Sequence, residues 1–154
     1  MNVRQLISFV VICLSFKSNN VNGQQREKYI DSINLQIHFV DSLIERYFEP
    51  SDTTVSRSIT HFTCITRGGA SSELYRNSKN DTFYKLVYSS NCDGEVVEQN
   101  FYFRLGKIVF ARIVLKDGES RRVIEQYYLN DHIFNNNTGK SFIKEGYALL
   151  EKTK

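Results

Sequence analysis

From Arg67 to Asp131 the chain is interrupted about every dozen residues by a turn signal: Arg67-Gly68-Gly69, Lys79-Asn80-Asp81, Asp93-Gly94, Leu105-Gly106, Asp117-Gly118 and Asn130-Asp131. Between these signals apolar and polar residues alternate in short runs. Gly, Asn and Asp accept the left-handed backbone of tight hairpins, and alternation is the period of a half-buried strand. The spacing predicts an antiparallel meander with strands at roughly 59–66, 71–77, 82–90, 95–104, 107–116, 119–129 and a short 132–135. Phe and Tyr, which suit strands, number 11 and 9, and Trp is absent.

Ahead of the meander, residues 25–48 carry Ile30, Ile33, Ile37, Val40, Ile44 and Tyr47 at alternating spacings of three and four, the stripe of an amphipathic helix. Pro50 stops it. Leu35 and Phe39 lie roughly opposite that stripe, so the helix is expected to touch something on a second side, more simply the C-terminal segment folding back than a partner chain. A closing helix is expected over 141–152, with Ile143, Tyr147 and Leu150 on one face. The fold class that follows is α+β: a long N-terminal helix packed on a twisted antiparallel β-meander, with a short C-terminal helix.

Residues 1–23 read as a cleavable signal peptide and residues 24–154 as a single α+β domain. Arg4 precedes the eleven-residue run Leu6–Phe16, and Val21 and Gly23 stand where a peptidase takes small side chains. That run is too short to span a bilayer, and the mature chain has no transmembrane segment. The expected location is secreted or periplasmic.

The formal charge of +3 falls to +1 once Arg4 and Lys17 leave with the leader, which argues against nucleic acid as a partner. Cys64 and Cys92 remain, and a pair in an exported chain reads as a disulfide, against the alternative of two buried thiols. In a plain meander they sit at one end of next-but-one strands, about 9.5 Å apart. A bridge tolerates only about 7 Å. It therefore needs the first strand to curl over, or Cys92 to reach across from its turn. His38, His61 and His132 are scattered, with no zinc-ligand spacing, and no cofactor is expected. Asn137-Thr138-Gly139-Lys140-Ser141 mimics part of a phosphate loop, but Phe134 stands where its first Gly belongs, so Thr138 or Ser141 reads as a helix cap. No Ser, Cys or Thr has a base beside it in a recognisable motif, so an enzyme is the less favoured reading.

Tyr102-Phe103-Arg104-Leu105-Gly106-Lys107-Ile108-Val109 echoes in Tyr127-Tyr128-Leu129-Asn130-Asp131-His132-Ile133-Phe134 at a period of 25. This hairpin resembles one recurring in small exported bacterial proteins of unknown function. Their helix-then-sheet layout is similar to cystatin-like and beta-lactamase-inhibitor-like domains. The cystatin Gln-x-Val-x-Gly loop is missing, so no family residue carries over.

Centring the hairpins on Asp93-Gly94, Leu105-Gly106 and Asp117-Gly118 places Tyr88 across from Gln99, Gln99 across from Arg112, and Arg112 diagonal to Glu125. One face then carries Leu86, Phe101, Phe103, Ile108, Phe110 and Tyr127, a core ready for the long helix, interrupted by Gln99, Arg112 and Glu125. The polar row is expected either to close the core's edge as a structural bridge or, with Tyr88, to floor a ligand cleft between helix and sheet. The other face, with Tyr102 and Tyr128, suits a protein partner. The expected function is a non-catalytic binding protein acting on a protein or small molecule. The alternatives are a small enzyme in the cleft and a structural envelope protein.

Overall fold

In the computed structural model, residues 23–47, 54–65, 67–135 and 140–153 are described. The leader up to Asn22, the stop at Pro50 and the cap candidate Thr138 lie outside them. The elements are α1 (Gly23–Tyr47), β1 (Val55–Thr63), β2 (Gly69–Asn77), β3 (Phe83–Ser90), β4 (Val96–Arg104), β5 (Lys107–Asp117), β6 (Ser120–Leu129), β7 (His132–Asn135) and α2 (Ile143–Thr153), with a 3₁₀ turn at Cys92–Gly94. The expected α+β class is what is found. Contacts divide the chain into two compact units, Met1–Ser32 and Ile33–Lys154. In the first, Ser32 Oγ donates to the Tyr29 carbonyl within the opening turns of α1. The second holds the rest of α1, the sheet and α2.

All seven strands form one antiparallel sheet in sequence order. Local chemistry accounts for the hairpins. Leu105 and Gly106, like Asn130 and Asp131, take positive φ in succession, the two-residue turn whose twist matches its strands. Asp117 pairs with Ser120, so the third hairpin turns on Gly118-Glu119 rather than Asp117-Gly118. Gly118 supplies positive φ at the first central position.

Three one-residue irregularities bend the sheet, between Tyr75 and Arg76, Tyr102 and Phe103, and Tyr127 and Tyr128. Two of them share one pattern. Phe103 pairs with Ile108 and Tyr102 with Phe110, leaving Val109 extra; Tyr128 pairs with Ile133 and Tyr127 with Asn135, leaving Phe134 extra. The 25-residue echo is therefore a repeated hairpin with the same turn and the same bulge. A bulge reverses which face each later residue occupies.

The two faces are covered by different helices. Arg57, Tyr75, Lys85, Tyr102, Phe110 and Tyr127 are successive cross-strand partners in one row. Over this row lies α1: Leu43, Ile44 and Tyr47 pack with Val55, Tyr75, Tyr84 and Val87, and Asn34 accepts a hydrogen bond from the Tyr127 hydroxyl. On the other face Leu74, Leu86, Phe101, Phe103, Ile108 and Ile113 pack beneath Ile143 and Leu150 of α2. Ser141 Oγ accepts the Ile143 N–H as a cap. Buried Gln126 and Tyr128 each accept the Phe142 N–H, fixing where α2 begins. Its far end is held by the 2.7 Å hydrogen bond between Ser72 and Thr153.

Two expectations are corrected. Leu86, Phe101, Phe103 and Ile108 face α2, not the long helix, because the extra residue Val109 splits the expected face. The C-terminal segment does not return to Leu35 and Phe39, which stand 63% and 47% exposed, because α2 occupies the opposite side of the sheet.

Candidate functional site

The bulge separates the four residues expected to form one row. Tyr88 and Gln99 are partners as expected, but on the α2 side. Gln99 faces Ile113, and Arg112 faces Asn100 on the α1 side. Gln99 is buried; its Nε2 donates to Glu145 of α2 at 2.6 Å, and its Oε1 has no partner among the described residues. Arg112 and Glu125 do pair, directly rather than diagonally, because centring the turn on Gly118-Glu119 shifts that register by two. Both are substantially exposed, so the pair does not close a core edge. The faces bearing Tyr102 and Tyr128 are likewise not one surface: each tyrosine is buried, on opposite sides of the sheet.

Two polar clusters sit under or beside α1. The Tyr102 hydroxyl donates to Asp41 at 2.9 Å, and Lys85 Nζ reaches the same carboxylate at 2.8 Å while lying 4.7 Å from the Tyr102 ring centre. Burial, and then the Asp41 charge, push the Tyr102 phenol well above its ordinary range. Arg57 grips Glu73 through Nε at 3.1 Å and a terminal nitrogen at 2.8 Å, and the Tyr75 hydroxyl donates to it at 2.6 Å. Burial alone would raise the Glu73 carboxyl; the hydrogen bonds from Arg57 and Tyr75 outweigh it and hold the group below its usual value. Every member of both clusters has its charge or hydroxyl engaged within the fold. They lock α1 and the first strands in place.

A different region of the α1 side is left open. Two steps along the strands from the row beneath α1, His61 pairs with Ser71 and Ser71 with Ser89. Gly69 and Asn91 continue the line of small or polar groups toward the strand ends, and Val96 stands on β4. These six, with Phe62, Ala70 and Ser90, line a depression of about 480 Å³, open to solvent. The cause is local: β2 and β3 present Gly69, Ser71 and Ser89, with almost no side-chain volume, between His61 and Val96. None of the side chains of His61, Ser71 and Ser89 makes a hydrogen bond among the described residues.

The disulfide closes this end. Cys64 and Cys92 are bridged, with Cα atoms 5.7 Å apart. The bridge forms across next-but-one strands, with Cys92 in the turn that follows β3. Asn91 continues the β2–β3 register opposite Gly69, donating its N–H to Gly69 O at 3.0 Å and accepting the Gly69 N–H on its Oδ1 at 2.7 Å. Cys92 then begins the 3₁₀ turn within reach of β1's continuation. Gly68, at φ +100°, makes room, since a Cβ there would strike the Asn91 carbonyl. The bridge thereby fixes β1 relative to β3, and with it the width of the depression.

Sequence reasoning missed this site. The signal was present in Ser71 and Ser89, small residues on two predicted strands, and in Gly69 of the turn before the first of them, but only the β2–β3 register makes them neighbours. Among the described residues no group of three or more His, Cys, Asp or Glu is placed to hold a metal, and no helix is long and apolar enough to cross a membrane. Set against protein families, curated proteins and solved structures, the chain matches none.

Proposed function

We propose that this is an exported, non-catalytic binding protein whose ligand sits in the depression on the α1 side of the sheet, beside the Cys64–Cys92 bridge. One observation carries the reading: His61, Ser71 and Ser89 are consecutive cross-strand neighbours whose side chains have no partner among the described residues and line a depression of ligand size. By contrast, the Asp41–Tyr102–Lys85 and Arg57–Glu73–Tyr75 clusters are engaged within the fold.

Binding is favoured over catalysis by the order of the row. His61 adjoins Ser71, which suits a nucleophile and its base, but the imidazole needs an orienting carboxylate on its far side. The acid in this row is Glu98, on β4 and about 14 Å from β1 at the usual strand spacing. Export is supported by the leader pattern of residues 1–23 and by a disulfide, which persists in oxidising compartments.

Two measurements test the reading. Intact mass of material recovered outside the cytoplasm is expected to give a chain starting at Gln24; a full-length cytoplasmic protein rules out export. A fragment library screened by amide NMR is expected to give hits that move Gly69, Ser71, Ser89 and Asn91 and that vanish in a Ser71→Phe variant, which fills the depression. Hits that cluster elsewhere, or survive that variant, overturn the site.

A further inference from the structure

We infer that the depression takes an uncharged polyhydroxy ligand, a neutral sugar unit. This rests on the proposed binding site and goes on to name its ligand class. The polar residues that line it are Ser71, Ser89, His61, Asn91 and Ser90, the last with its hydroxyl turned to Cys92 Sγ, with no Lys, Arg, Asp or Glu among the lining residues. A carboxylate or phosphate only accepts hydrogen bonds and is normally held by Arg, Lys or a set of converging N–H donors. A serine hydroxyl both donates and accepts, so its best partner does the same. Sugar hydroxyls meet that requirement at several adjacent positions.

The floor also disfavours an extended peptide. Peptide strands bind sheets by main-chain pairing along an edge. Here the floor strands β2 and β3 are interior to the sheet, and their backbone groups are committed to β1, β3 and β4. Recognition is left to side chains, and these are hydroxyl-bearing rather than the aromatic or aliphatic pockets that anchor peptides. Val96, exposed at the wall, offers an apolar contact for a sugar's C–H face. Because the depression is wide open, the ligand is a terminal or internal unit of a larger glycan rather than an engulfed free molecule.

The test is amide NMR titration of the full disulfide-bonded chain with glucose, galactose, mannose and N-acetylglucosamine at millimolar concentration. Glucuronate, glucose 6-phosphate and a capped neutral tripeptide serve as comparison probes. At least one neutral sugar is expected to shift Gly69, Ser71, Ser89 and Asn91 in a saturable way. The Ser71→Val, Ser89→Val double variant, which keeps strand preference and shape, is expected to retain its dispersed spectrum and lose those shifts. If the charged probes or the tripeptide shift these amides and the neutral sugars do not, the ligand class is overturned while the site stands. If no probe shifts them although fragment hits persist there, the polyhydroxy assignment is again overturned. If fragments fail there too, the site itself has failed.

Discussion

Arg112 lies directly across from Glu125 on neighbouring strands, its Nε 3.0 Å from Oε1, with 54% and 41% of the two side chains in solvent. A pair this wet gains little from Coulomb attraction and loses side-chain entropy in forming. Glu125→Ala, Arg112→Ala and the double variant are each expected to cost under about 1 kcal/mol in chemical denaturation, shrinking further at high salt. A loss of about 3 kcal/mol or more in either single variant would mean that the charges are desolvated in solution.

The buried phenols predict alkaline instability. Tyr75 is pushed up to about 12, first by burial and then by its hydrogen bond to Glu73, and Tyr102 is raised more strongly. A raised folded pKa means that the stabilisation is complete below the unfolded value near pH 10 and is lost as pH climbs through the folded one. At about pH 11 the native chain is expected to keep part of its tyrosine absorbance in the neutral form, ionising fully only on adding denaturant. Glu73 has the opposite sign: lowered in the fold, it supports stability above its ordinary value and loses that contribution as the solution is acidified through its folded pKa. Full titration of all tyrosines in the native state near pH 10 would contradict the burial of these phenols.

Reduction of the disulfide tests both stability and site. The bridge closes a loop with a sequence separation of 28, for which chain entropy gives roughly 3.5 kcal/mol. A Cys64→Ser, Cys92→Ser variant is expected to lose about that much and to show its largest amide shifts around Gly69, Ser71 and Asn91, since β1 is no longer tied to β3's extension. A free-thiol count of two per chain in unfolded, unreduced protein would remove the premise.

Gln99 offers a case of opposed effects. Its amide N–H bond to the Glu145 carboxylate contributes about 1.5 to 3 kcal/mol, while its buried Oε1 has no described partner and costs a comparable amount. Gln99→Leu is expected to change stability by under about 1 kcal/mol. Should it cost about 3 kcal/mol, the carbonyl has a partner in solution, an ordered water being the simplest.

The turns were readable because a hairpin's geometry is written in a few adjacent residues: Leu105-Gly106 and Asn130-Asp131 hold positive φ where the spacing requires it. The stripe of α1 and the seven strands followed from periodicity, and all seven strands are present in the expected order. The pairing of Tyr88 with Gln99 was also legible, since nothing irregular lies between those residues and their turn.

Which side of the sheet each residue faces was not. The extra residue Val109 breaks the alternation, and the same happens at Phe134, so Gln99 and Arg112 are carried to opposite sides. The neighbouring aromatics Tyr102-Phe103 and Tyr127-Tyr128 hinted at it. A strand with one buried face has no place for two large rings in succession, whereas a sheet covered by a helix on each side has. The sequence by itself determined the elements, their order and their turns, since these depend on residues a few positions apart. The tertiary structure alone decided the bulged register, the covering of opposite faces by α1 and α2, and the row His61, Ser71 and Ser89. Those depend on which strands lie side by side, where a single extra residue exchanges the two faces.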